Sequence, residues 1–156
     1  MAPPSLGRSD LLRGIFRRVR VLELTRQYHF SAGHRLESPA LSSHENERVY
    51  GQCYRQHGHN YLIEVTVAGE MDPVTGMAAD LGALDAAVRR VILDRVDHYD
   101  LSSTVDALRD VPTTGENLAR AFWKWLEPTL PAGSLRRLVV IETDNNTFEY
   151  RGAAAR

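Results

Sequence analysis

The chain has 156 residues, 43% hydrophobic and 25% charged, a composition that fits one folded domain and excludes a chain disordered as a whole. Its formal net charge is −1, so it lacks the basic excess of a broad nucleic-acid-binding surface. No apolar run is long enough to span a membrane as a helix. One cysteine excludes an internal disulfide and points to a reducing, cytoplasmic setting.

Residues 1–20, MAPPSLGRSDLLRGIFRRVR, read as an N-terminal extension expected to be flexible, ahead of a single domain over 21–156. The extension is arginine-rich and mildly amphipathic through Leu11, Leu12, Ile15, Phe16 and Val19. It lacks the continuous apolar stretch of a signal peptide.

Residues 19–34 predict a strand. Leu22, Leu24, Tyr28, Phe30, Ala32 and His34 share one parity, as period-two patterning requires. Residues 35–52 contain Pro, Ser, Asn and Gly and predict a long loop. A second strand follows over 57–68, with His57, His59, Tyr61, Ile63, Val65 and Val67 on one face. GEMDPVTGM is a turn cluster. Asp80 can cap a helix from Leu81, in which Leu84, Val88, Val91 and Ile92 keep helical spacing to about Val96. Residues 97–112 predict irregular structure. A second helix opens at TTGENL, where Thr113 and Glu116 fit a capping box. Leu118, Ala121, Phe122, Trp125 and Leu126 form its apolar stripe, and Pro128 ends it. A strand over 136–143, a turn at Asp144–Asn145–Asn146 and a short strand TFEYR complete the chain. The order ββααββ predicts an α+β fold, a four-stranded antiparallel sheet with two helices on one face.

The chemistry concentrates in CYRQHGHNY. Strand residues two apart point the same way, so His57 and His59 project together on the apolar parity. His34 closes the first strand on its own apolar parity. Three imidazoles without an obvious fourth protein ligand suit a catalytic zinc site with an open position, although His-x-His also serves iron, usually with a carboxylate. His29, on the opposite parity, and His44, in the predicted loop, are expected to be exposed. Cys53 lies four residues before His57, as a zinc ligand or as a base or nucleophile beside the metal. In Asp97–His98 a carboxylate next to an imidazole can fix its tautomer, although neighbours in sequence need not bond to each other.

FSAGHRL, CYRQHGHNY, Asp97–His98, Thr114-x-Glu116-Asn117 and IETDNN resemble, in this order, the motifs of the 6-pyruvoyltetrahydropterin synthase and 6-carboxytetrahydropterin synthase family. The resemblance covers roughly residues 22–152 and implies the tunnelling fold. It implies trimers that close a barrel and stack as a dimer of trimers, with active sites between subunits. It implies zinc on His34, His57 and His59, Cys53 as general base, and Asp97 and His98 as a second proton-transfer pair. Glu142 would anchor the pterin ring and Thr114 would help to hold it. The implied substrate is 7,8-dihydroneopterin triphosphate, whose side-chain hydroxyls can ligate zinc.

The chain departs from the family pattern in VDHYDLS. Tyr99 and Asp100 stand where the family often has Lys and Asn, which bears on how the triphosphate is handled. The products of the two family branches are 6-pyruvoyltetrahydropterin, for tetrahydrobiopterin, and 6-carboxytetrahydropterin, for queuosine and other deazapurines. The nineteen-residue step from His34 to Cys53 and ETDNN resemble the pyruvoyl branch, while the short Cys-x-x-x-His-x-His resembles the carboxy branch. The pyruvoyl reaction is the expected one. The alternatives are the carboxy reaction, a pterin-binding homologue with little catalysis, and an aldolase acting on the dephosphorylated compound.

Overall fold

The computed structural model describes residues 21–152; the predicted extension over 1–20 lies outside them. β1 (Leu22–His34) pairs antiparallel with β2 (His57–Gly69), β2 with β3 (Leu135–Thr143) and β3 with β4 (Asn146–Tyr150), giving the sheet order β1-β2-β3-β4. The α+β architecture predicted from the patterning is observed.

Among the described residues three α-helical segments accompany the sheet, not two. The additional one, α1 (Ser43–Tyr50), lies inside the predicted loop 35–52. Composition concealed it, because its exposed, polar residues form no apolar stripe. Its local chemistry is nevertheless strong. Ser42 and Glu45 form a reciprocal capping box, and the buried Asn46 amide donates to the carbonyls of Ser38, Leu41 and Ser42. His44 is exposed as expected, but on a helix. His29 is exposed on β1.

α2 begins as Leu81–Val88 with Asp80 as its cap, passes through a π turn at Arg89–Leu93 and ends with Asp94–Val96. α3 is Gly115–Leu126, and Pro128 falls in a single 3-10 turn after it. The predicted Thr113–Glu116 capping box does not form. The N-cap is Thr114, without a side-chain bond, because Thr113 is buried and turned toward β1.

The core lies between one sheet face and these two helices. Phe30, Tyr61, Ile63 and Val65 meet Leu84, Val88 and Ile92 from α2 and Leu118, Phe122 and Leu126 from α3. Burial of that apolar area is the dominant stabilising term. Gly115 lets α3 start against the sheet, since a Cβ there would sit 2.0 Å from Phe148. No helix among the described residues is long and apolar enough to cross a membrane.

Candidate metal centre and acid–imidazole loop

Antiparallel register brings the three histidines together. His34 is the Cα partner of His57, and Ala32 that of His59, so the imidazoles leave neighbouring strands on one face. Their metal-binding atoms all lie within 4.8 Å of one another. His34 is fully buried, and the other two are half-buried.

Main-chain carbonyls set two of the tautomers. His34 Nδ1 lies 3.1 Å from the Thr113 carbonyl, and His57 Nδ1 lies 2.7 Å from that of Arg55. A carbonyl only accepts, so each Nδ1 carries the proton and each Nε2 presents a lone pair. The two Nε2 atoms are 3.1 Å apart. Unprotonated nitrogens at that distance repel unless a cation lies between them. Zinc–nitrogen bonds of about 2.0–2.1 Å in a tetrahedral shell put ligand atoms roughly 3.3 Å apart. The donor set therefore fits a divalent metal of zinc's kind.

Glu142, on β3, adds a carboxylate to this cluster. Its Oε1 lies 3.7 Å from His34 Nε2 and 3.8 Å from His59 Nε2, outside the compact three-histidine set. Tyr61 closes the floor, its hydroxyl 3.5 Å from both ring nitrogens of His34 and its ring stacked on Phe30 at 4.7 Å. Burial pushes the Tyr61 phenol well above its ordinary range, so it stays protonated.

Burial is also the main force on His34 and His59, lowering both below the ordinary value of 6.5; Glu142 partly opposes the shift. Both rings are thus neutral and ready to ligate near pH 7. A lowered folded pKa means that the unfolded chain binds more protons as acid is added. The resulting stability is full above 6.5 and is lost as pH falls through the folded values. The metal-free protein is expected to lose melting temperature as pH falls below 6.5, before most carboxylates titrate. A flat melting temperature across that window would refute the assignment.

Cys53 is a free, half-buried thiol in the turn Gly51–Tyr54. That turn is tied to the residues after His34. The Leu36 N–H donates to the Cys53 carbonyl at 2.8 Å, and the Arg35 guanidinium lies 5.1 Å over the Tyr54 ring. The thiol is not in the compact donor set, which leaves its alternative role as ligand without support.

Asp97 and His98 do contact each other, with Asp97 Oδ1 2.9 Å from His98 Nδ1. The same oxygen accepts the Ser31 N–H at 3.0 Å. His98 has φ 63°, a left-handed conformation that costs a non-glycine residue about 1–3 kcal/mol. The His98 N–H bond to the Ser31 carbonyl, 2.6 Å long, helps to hold it there. A cavity of about 490 Å³ has His59 and His98 in its wall, while His34 and His57 do not line it.

Thr114 caps α3, while the neighbouring Thr113 makes the closer contact with the cluster. Its hydroxyl lies 3.4 Å from His34 Nδ1 and 3.2 Å from Ser102 Oγ. Sequence reasoning left Thr113 as the second possible alignment of the motif threonine, and missed Ser102 and Tyr61 as parts of the site. Only the Tyr61 parity on β2 carried a readable signal.

A four-stranded antiparallel sheet backed by helices, with three convergent histidines at one end that could hold a metal ion, defines an α+β protein with a candidate metal centre. The model of the 6-pyruvoyl tetrahydropterin synthase family matches residues 23–153, and the chain belongs to that family. It is 44% identical over 135 residues to the 6-pyruvoyl tetrahydrobiopterin synthase of Poecilia reticulata, covering 85% of this chain and 92% of that protein. It is 42% identical over 132 residues to the Homo sapiens protein of the same name, covering 83% and 91%. The solved Caenorhabditis elegans 6-pyruvoyl tetrahydropterin synthase superposes with a TM-score of 0.81 at 36% identity, over 85% of this chain and 96% of that one.

Proposed function

We propose that this chain is a zinc-dependent carbon–oxygen lyase that converts 7,8-dihydroneopterin triphosphate to 6-pyruvoyltetrahydropterin with elimination of triphosphate. The convergence of His34, His57 and His59 beside the Glu142 carboxylate, within this family, is the observation that carries the reading.

The three histidines hold the metal. Zinc, when bound, supplies Lewis-acid acidification of substrate hydroxyls and the C–H groups next to them. Glu142 accepts two N–H bonds from the guanidine-like edge of the pterin and sets its orientation. Thr114, at the start of α3, helps to hold the ring. The Cys53 thiolate takes a carbon-bound proton as general base. Asp97 fixes His98 through Nδ1, which leaves Nε2 to move the proton of the second hydroxyl. The edge strands β1 and β4 support assembly into a trimeric barrel or a dimer of trimers, since unpaired edges favour pairing with another chain. The lone cysteine supports a cytoplasmic location.

Mass spectrometry of products from zinc-loaded protein and 7,8-dihydroneopterin triphosphate tests the reading. Inorganic triphosphate with the pyruvoyl compound is expected. Acetaldehyde with 6-carboxytetrahydropterin would assign the other branch, to which the short Cys53–His57 spacing is similar. No turnover with metal bound would replace the lyase by a pterin-binding protein.

A further inference from the structure

We infer that Asp100 and Gln56 form a clamp that positions the Asp97–His98 pair against the strand carrying His57 and His59. The functional part of this inference rests on the proton-transfer role proposed above for His98. An aspartate at position 100 looks unfavourable beside a triphosphate, yet its carboxylate is already occupied. Oδ1 accepts the N–H groups of Ser102 and Ser103, each at 2.9 Å. Oδ2 accepts the side-chain amide of Gln56. Gln56 directly precedes the metal-binding His57, so this bond joins the loop to the start of β2.

The link crosses β1 at Gly33. A Cβ there would lie 3.2 Å from Gln56 Nε2 and 3.8 Å from Asp100 Oδ2. On the open edge of β1, the Gly33 N–H donates to the Tyr99 carbonyl at 3.0 Å and the Leu101 N–H to the Gly33 carbonyl at 2.8 Å. Residues 98–101 therefore follow β1 as a short parallel bridge centred on Gly33 and Asp100. The left-handed His98 backbone sits next to this bridge. His59, His98 and Asp100 share the wall of one cavity. Releasing Asp100 from Gln56 would let the exposed imidazole drift relative to the sheet edge to which its loop is bonded. A misplacement of about 1 Å can cost on the order of 100-fold in rate. Asp100 and Gln56 are positioning residues, with no contact to substrate required.

The test compares Gln56→Ala, Asp100→Ala, their double variant and Asp100→Asn, each loaded with zinc. Gln56 is exposed, so its truncation should leave folding intact. In Gln56→Ala, amide hydrogen exchange at His98 and Leu101 should quicken about tenfold. Metal content should stay unchanged, and kcat should fall about tenfold with KM nearly constant. The double variant should be no worse than the poorer single one, because both remove the same bond. Asp100→Asn should recover most of the loss, since its oxygen still accepts the serine amides and Gln56 can flip to accept from its NH2. Unchanged exchange in Gln56→Ala would overturn the clamp. Faster exchange with unchanged kcat would overturn its positioning role. An inactive wild type would defeat the lyase reading alone, and loop exchange, measured without substrate, would still decide the clamp.

Discussion

His57→Ala is expected to empty the metal site and abolish turnover while the fold survives. The ring is half-buried at the start of β2, outside the apolar core, so its loss opens no large cavity. It supplies one of only three convergent imidazole nitrogens, and its tautomer is already set by the Arg55 carbonyl. Loss of an outer-shell partner costs about 10–100-fold in metal affinity, and loss of a ligand should exceed that. Metal per chain by elemental analysis, competition against a chelator, and turnover together give the readout. A variant that kept one metal per chain and normal turnover would remove His57 from the site. His34→Ala is a poorer probe, because His34 is completely buried and its removal would also disturb packing.

Cys53→Ala is expected to separate chemistry from metal binding. The thiol lies outside the compact donor set and makes no core contact that stability depends on. Metal content and melting temperature should therefore match wild type. Turnover should fall by roughly 10²–10⁴, the usual worth of a positioned general acid or base. Full activity would dismiss Cys53 as the base, whereas joint loss of metal and activity would return it to the list of ligands.

Much of this site was legible because strand parity is local information. Period-two patterning placed His34 on one apolar face and His57 and His59 on another. The fold had only to pair β1 with β2 in one antiparallel register to join them. Glu142, which the family resemblance put beside the pterin, shares the parity of Leu138 and Val140 on β3, and its carboxylate lies beside the histidines. Patterning failed where structure depends on single polar contacts. α1 is held by a capping box and the buried Asn46 amide, not by an apolar stripe, although Ser42-x-x-Glu45 could have revealed it. Thr113 fitted the capping rule one residue too early, because tertiary contacts with His34 and Ser102 outweighed a local cap. The left-handed His98 and the Asp100–Gln56 bond join residues distant in sequence, which no local periodicity encodes.

The carbonyls that orient His34 and His57 belong to Thr113 and Arg55 but owe nothing to those side chains. Every amino acid brings the same acceptor to either position. Ligand orientation is thus insulated from ordinary point mutation and passes between descendants with the path of the chain. Arg55, which is exposed, can drift in identity without disturbing the His57 ring, provided that the backbone course is kept, whereas Thr113 is also held by its buried hydroxyl beside His34 and Ser102. Insertions or deletions just before β2 or α3 are the changes that would break it. Lineages of this fold should accordingly tolerate substitution at Arg55 more readily than any change in local loop length.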